Sequence, residues 1–81
     1  MMNTQKAVAL RMSKLMIKHK MSQYELSKRS GLTKQAITNI INEKYETIKF
    51  DTMVKIADGF GMTVQEFITD ELFDRGNLDI K

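Results

Sequence analysis

The amino-acid sequence predicts a compact all-α fold of five helices and no strand, and three observations support this prediction. Apolar side chains recur at the spacing of an α-helix along most of the chain. Three segments begin with the same helix-capping pattern. The chain has 81 residues, of which 42% are hydrophobic and 28% charged, and this fits one globular domain with a thin core.

The first helix is expected from about Thr4 to His19. Its apolar face carries Val8, Met12, Leu15 and Met16, and its cations are Arg11, Lys14, Lys18 and Lys20. Apolar residues at i, i+4, i+7 and i+8 share one helical face. The first helix therefore has one side for the core and one basic side.

Three later helices begin with a shared device, a capping Ser or Thr between two apolar residues. The caps are Ser22, Thr33 and Thr63, and Glu25 and Glu66 stand three positions after the first and the third, as a capping box requires. The flanking apolar pairs are Met21 with Leu26, Leu32 with Ile37, and Met62 with Phe67. Each cap contributes on the order of 1 kcal/mol, so these three starts are well defined.

Glycines mark two helix ends, because Gly31 and Gly61 fit the left-handed position that follows a helix. The fourth helix is expected from about Phe50 to Phe60, without a clean N-cap, and Gly59 weakens it slightly. A loop is expected before it, over residues 44–49. The predicted core side of this helix consists of Phe50, Met53, Ile56, Ala57 and Phe60.

Residues 1–68 are expected to form the folded domain and residues 69–81 a C-terminal tail. Apolar residues in the tail are irregularly spaced, which fits a short helix followed by an arm, or an arm that joins a dimer. Two interpretations are open for Leu72 and Phe73: they cover the edge of the core, or they form a dimer contact.

Composition excludes several classes of function. Cys is 0 and His is 1, which excludes disulfides, thiolate zinc sites and cysteine nucleophiles and argues against histidine metal clusters. No acid–base set converges in the sequence pattern, so we expect no catalytic residue, no metal, no cofactor and no enzyme activity. The apolar runs are too short to span a bilayer, and the first residues lack the apolar core of a signal peptide. We therefore expect a cytoplasmic protein with no membrane partner.

The charge of the chain is divided between its two parts. Residues 1–49 carry ten Lys or Arg and three Asp or Glu, a net +7, whereas residues 50–81 carry a net −4. A basic face attracts a polyanion, and the acidic part is expected to face away from it. The alternative is a solvated surface whose asymmetry has no function.

Residues 22–42 have the outline of a helix-turn-helix, in which two short helices flank a glycine turn. In the second helix, 34–42, the polar residues fall within about 140° of the circumference. These are Lys34, Gln35, Thr38, Asn39 and Asn42, and the apolar side carries Ala36, Ile37, Ile40 and Ile41. Lysine suits the acceptors of guanine, an amide pairs with adenine, and threonine bonds a base or touches a thymine methyl. The alternative is an ordinary amphipathic helix, although such a face usually mixes Glu with Lys.

These segments resemble a known family. Residues 21–43, MSQYELSKRSGLTKQAITNIINE, and residues 50–68, FDTMVKIADGFGMTVQEFI, are similar to the phage-repressor (Cro/lambda-repressor, or XRE) helix-turn-helix proteins. The resemblance covers roughly residues 8–68. It implies a compact five-helix lambda-repressor-like DNA-binding domain that binds a double-stranded operator, usually as a homodimer.

The resemblance also implies roles for individual residues. The base-contacting positions of the family correspond here to Lys34, Gln35 and Asn39, with Thr38 as a fourth contact. Phosphate contacts are expected from Gln23, Asn42, Lys44 and Lys49, and helix N–H groups assist at the first of these. For the two lysines, a solvated loop charge is the alternative.

The chain departs from the family pattern at three places, the first of which is Ser27, where the family often has a small Ala and which still fits. The family often ends its recognition helix with Asn-Gly, where this chain has Asn42-Glu43, so the following loop is expected to run differently. The family often pairs an Arg on the first helix with a Glu on the third, and the matching residues here are Met16 and Ile41. An apolar contact that replaces an ion pair is often neutral or stabilising.

Two functions follow as expectations. The first is a sequence-specific transcriptional regulator, most simply a repressor, that reads the major groove with helix 34–42. The second is an antitoxin or protein-interaction module of the same fold, whose partner is a toxin or an anti-repressor.

Overall fold

A computed structural model describes residues 3–70 and Phe73 of the chain. The described residues contain no strand, and five helices account for most of them: α1 (Thr4–His19), α2 (Gln23–Ser30), α3 (Lys34–Ile41), α4 (Phe50–Gly59) and α5 (Val64–Ile68). The all-α fold and its helix order are confirmed. None of these helices combines the length and the apolar character needed to cross a lipid bilayer.

The three predicted helix caps are present. The hydroxyls of Ser22, Thr33 and Thr63 each accept a hydrogen bond from the backbone N–H three residues on, at 3.0 to 3.1 Å. At Thr63 the box is complete, because Glu66 Oε1 accepts from the Thr63 N–H at 2.9 Å. In α2 the Glu25 carboxylate pairs instead with an arginine one turn on, at 3.5 Å. The predicted box at Ser22 is therefore only half formed.

Among residues 3–70 and Phe73, four adopt the left-handed backbone conformation, and two of these are glycines. Gly31 and Gly61 have φ values of 80° and 73°, as their positions after α2 and α4 predict. Lys20 and Glu43 have φ values of 53° and 57° directly after α1 and near the end of α3. Side chains are disfavoured in this conformation, so these two helix ends carry backbone strain.

The helices enclose one core. Helix α1 packs on α3, α2 on both α3 and α4, and α4 on α5. The core cluster consists of Val8, Met12, Leu15, Met21, Leu26, Ile37, Ile40, Ile56, Ala57, Phe60 and Phe67. Because Ile37 and Ile40 belong to this cluster, the core fixes which side of α3 faces out.

One predicted core residue is exposed. Phe50, expected on the core side of the fourth helix, keeps 64% of its surface exposed, so that prediction is wrong. Phe50 is the first residue of α4, and the helices that cover the later turns do not cover it. Met16, Met53 and Met62 are partly buried against the core, in agreement with their predicted faces.

Gly59 lies where α4 approaches α2 most closely. A Cβ at this position would lie 2.9 Å from Leu26 Cδ1 and 3.0 Å from Ser30 Cβ. The glycine was expected only to weaken the helix, but it makes room for α2. Both neighbours belong to the helix before the turn, so this contact helps to set the position of the helix-turn-helix.

Arg11 joins the first helix to the last. Its guanidinium donates to the Phe67 carbonyl at 2.8 Å, to the Glu66 carbonyl at 3.1 Å and to Asp70 Oδ2 at 3.3 Å. The Phe73 ring lies 6.1 Å from the Phe67 ring and packs against the core. Phe73 therefore covers the edge of the core, which is one of the two interpretations given for it above. Leu72 lies outside the described residues.

Candidate nucleic-acid interface

The turn between α2 and α3 is fastened by two serines of α2. The Ser27 hydroxyl donates to the Leu32 carbonyl at 2.6 Å, and the Ser30 hydroxyl accepts from the Leu32 N–H at 3.1 Å. Together with the left-handed Gly31, these bonds fix the path of the three-residue turn. Helices α2 and α3 therefore hold a defined orientation to each other.

The outer side of α3 is polar and contains no acid. Lys34 and Gln35 are exposed, and Thr38 and Asn39 are half-buried beside them. The opposite side holds Ile37 and Ile40 in the core, so the polar side chains cannot turn inward. The predicted base-contacting residues thus share one outward surface, which we call the α3 face.

Two amides of the α3 face are linked to each other and to the following loop. Gln35 Nε2 donates to Asn39 Oδ1 at 2.9 Å. Asn39 Nδ2 in turn donates to the Tyr45 hydroxyl at 3.4 Å. Sequence reasoning assigned no role to Tyr45, and a tyrosine in a loop of exposed residues gives no signal by itself. Tyr45 reaches Asn39 because the loop folds back toward α3, and the sequence alone does not show this path.

A second link joins α3 to α2. The Thr38 hydroxyl donates to Gln23 Oε1 at 2.8 Å. This bond occupies the hydroxyl proton of Thr38 and leaves its methyl group available. It leaves the Nε2 donors of Gln23 available at the first turn of α2.

The remaining predicted phosphate contacts lie at the end of α3 and in the loop that follows it. Asn42, Lys44 and Lys49 are all exposed. Within the described part of the chain, neither of these lysines nor Lys34 forms an ion pair. Their charges are therefore available to an anion.

The loop after α3 begins with a Schellman motif that has glutamate in the usual glycine position. The Lys44 N–H donates to the Asn39 carbonyl at 2.8 Å, and the Glu43 N–H donates to the Ile40 carbonyl at 3.1 Å. Glu43 thus adopts the conformation that a glycine would take there. The first step of the loop thus uses the conformation usual for glycine, at the cost of backbone strain, and a different path for the rest of the loop stays a prediction.

An apolar groove lies beside the helix-turn-helix. It has a volume of about 490 Å³, and Met16, Ile17, Met21 and Ile41 contribute its apolar walls. Ile17 is 78% exposed. The groove contains no cluster suited to catalysis, and no group of three metal-binding side chains occurs among residues 3–70 and Phe73.

Comparison with known proteins agrees with this geometry. The family model of the Cro/C1-type HTH DNA-binding domain matches residues 11–72, which is more than half of the chain. The matched range contains α2, the turn, α3 and all eight predicted contact residues. No curated protein matches the chain, and no solved structure does so.

Proposed function

This chain belongs to the Cro/C1-type helix-turn-helix DNA-binding domains and is a DNA-binding regulator, and from this premise we propose that it is a sequence-specific repressor. In this proposal α3 enters the major groove of double-stranded DNA and its α3 face reads base edges. Residues 1–68 form the DNA-binding domain, and the tail follows it.

The roles of the side chains divide by chemistry. Lys34, Gln35, Thr38 and Asn39 contact bases, since lysine donates to guanine and amides pair with adenine. Four other residues contact phosphates and fix the register on the duplex, namely Gln23, Asn42, Lys44 and Lys49. This division is supported by the available donors on Gln23 and by Lys34, Lys44 and Lys49, which form no ion pair with the described residues.

The observation that carries the proposal is the polar, acid-free α3 face opposite buried isoleucines. A face that only meets water tolerates carboxylates, whereas one that lies against bases between two rows of phosphates does not. The α3 face presents one cation, two amides and one hydroxyl, all of which suit base edges.

We further propose that the protein binds its operator as a homodimer. A two-fold dimer places two copies of α3 in successive major grooves and therefore needs two half-sites about 10 base pairs, or a multiple of this, apart. The half-site spacing of bound DNA tests this part of the proposal.

Selection of bound sequences from a random pool of duplex DNA tests the function directly. We expect enrichment of one motif with two related half-sites. A triple variant, Lys34→Ala with Gln35→Ala and Asn39→Ala, should enrich no motif although it keeps its helical circular dichroism. Recovery of an unbiased pool with the unsubstituted protein would overturn sequence-specific binding.

Repression is tested separately from binding. The selected motif is placed across the promoter of a reporter gene, and the protein is expressed from a second plasmid. A repressor lowers reporter output, and the triple variant does not. Raised output would identify an activator and leave the DNA-binding proposal intact.

One observation favours the second function, binding of a partner protein. The apolar groove beside α2 exposes Ile17, with the half-buried Met16 and Ile41 beside it, and such side chains suit protein contacts. If the groove binds a toxin or anti-repressor, Ile17→Glu should abolish the complex formed on co-expression with the product of a neighbouring gene. If Ile17→Glu forms as much complex as the unsubstituted protein, the groove does not bind the partner protein.

A further inference from the structure

The amides of the α3 face form a chain that ends on a residue of the following loop. Gln35 donates to Asn39, and Asn39 donates to the Tyr45 hydroxyl. We infer that Tyr45 is a positioning residue for base reading, which holds the Gln35–Asn39 pair in the orientation that recognises an adenine. This inference rests on the proposed function.

Tyr45 is placed by the loop rather than by chance contact. The Lys44 N–H bonds the carbonyl of Asn39 itself, so the residue before Tyr45 is tied to the backbone that carries the amide. The Tyr45 side chain also lines a cleft of about 240 Å³ with Leu32 and Ile40, against the back of α3. The loop backbone thus places Tyr45 next to Asn39, and a side chain placed in this way can orient its neighbour.

The hydrogen bond from Gln35 to Asn39 leaves two groups of the Gln35 amide available to a base. Gln35 uses one N–H on Asn39 and keeps its Oε1 acceptor and its second N–H. Adenine presents an N6 donor and an N7 acceptor in the major groove, and this pair matches the groups that Gln35 keeps. Guanine presents two acceptors, which the remaining groups of Gln35 do not match.

Tyr45 affects specific binding because an ordered amide loses less freedom when DNA arrives. Without the tyrosine hydroxyl, Asn39 can rotate away and Gln35 loses its acceptor. Loss of one neutral hydrogen bond corresponds to a decrease of about three- to tenfold in affinity for the selected site. Affinity for unrelated DNA should not change, because the amides of Gln35 and Asn39 are not among the proposed phosphate contacts.

The experiment uses the full chain and compares Tyr45→Phe, Asn39→Ala and the double variant. Dissociation constants are measured by fluorescence anisotropy on the selected duplex and on a scrambled duplex of equal length. We expect Tyr45→Phe to weaken the selected duplex about three- to tenfold and the scrambled duplex not at all. In the Asn39→Ala background the same change should have no further effect, because the two residues act through one bond.

Tyr24→Phe is the matched control. Tyr24 is 61% exposed, and its hydroxyl makes no hydrogen bond to the described residues. Removal of that hydroxyl should leave the ratio of the two dissociation constants unchanged. Thermal unfolding of each variant shows that the measurements compare folded proteins.

Three results would overturn the role of Tyr45. If Tyr45→Phe weakens binding to both duplexes equally, Tyr45 acts as a phosphate contact. If the losses of affinity add in the double variant, Tyr45 acts independently of Asn39. If Tyr45→Phe weakens binding to neither duplex, Tyr45 has no role in DNA binding. If the unsubstituted protein does not distinguish the two duplexes, the proposed function fails as well. These outcomes distinguish a failure of the inference from a failure of its premise.

Discussion

The Thr38 hydroxyl donates a 2.8 Å hydrogen bond to Gln23 Oε1 and so connects the middle of α3 to the first residue of α2. The bond satisfies the acceptor end of the Gln23 amide and leaves its donor end for a phosphate. Helix N-termini also present free backbone N–H groups to anions. Thr38 therefore orients the side chain of Gln23, for which we propose a phosphate contact.

Thr38→Val should weaken binding to every duplex by about three- to tenfold, since valine keeps the methyl group and loses the hydroxyl that orients Gln23. Dissociation constants on the selected and scrambled duplexes provide the measurement. Thr38→Ser, which retains the hydroxyl, is the control and should bind both duplexes normally. A loss restricted to the selected duplex would mean that the hydroxyl itself contacts a base.

Gln35→Ala should cost about 1–3 kcal/mol on the selected duplex and less on scrambled DNA, because it removes the bidentate base contact that we propose for Gln35. Gln65→Ala is the matched control, since Gln65 is an exposed glutamine on α5. It should change neither affinity. If Gln35→Ala weakens both duplexes equally, Gln35 does not read a base.

Ile41→Glu should destabilise the fold by about 1–3 kcal/mol, because a carboxylate would replace a half-buried apolar group opposite Met16. Chemical denaturation measures the change, and Ile41→Leu serves as the conservative control. Addition of Met16→Arg to the glutamate variant should restore part of the loss through an ion pair. An unchanged melting temperature for Ile41→Glu would show that the groove does not depend on the apolar contact.

Glu43→Gly should raise the free energy of unfolding by about 0.5–1 kcal/mol, since glycine adopts the left-handed conformation without steric cost. Glu43→Gln keeps the strain and removes the charge, so its stability should match that of the original chain. Both variants should bind DNA more tightly, because each removes a negative charge from the loop beside the α3 face. Equal stability of all three proteins would show that Glu43 is not strained.

Gly59→Ala should destabilise the protein by about 1–3 kcal/mol, although alanine is the better helix former. The added methyl group would lie 2.9 Å from Leu26 Cδ1 and 3.3 Å from the Ser30 backbone. Asp58→Ala, at the exposed neighbouring position, tests helix propensity alone and should have a small effect. A stabilised Gly59→Ala variant would show that α2 moves away at little cost.

Local signals allowed most of the fold to be predicted from the sequence. A cap such as Thr33 needs only its own hydroxyl and a backbone N–H three residues on, so its effect is visible in the sequence. The left-handed conformation of Gly31 and Gly61 was predictable for the same reason, because it depends only on the missing side chain of the residue itself. The face of α3 followed from helical periodicity.

Features that depend on distant elements could not be predicted in this way. Periodicity gives the direction of the Phe50 side chain but not whether another helix covers it. Lys20 and Glu43 adopt a conformation that their identity disfavours, because the helices on either side require the chain to turn there. Within the α3 face, the bond from Asn39 to Tyr45 depends on the path of the loop.

Arg11 and Phe67 lie 56 positions apart, and the core is closed by the side chain of Phe67. During synthesis the first four helices leave the ribosome before Phe67 does, so the core of a nascent chain lacks this side chain until α5 has emerged. Completion of the core that supports the α3 face is thereby delayed until α5 has emerged. Protease sensitivity of stalled chains, before and after residue 67 is released, would record the moment of closure.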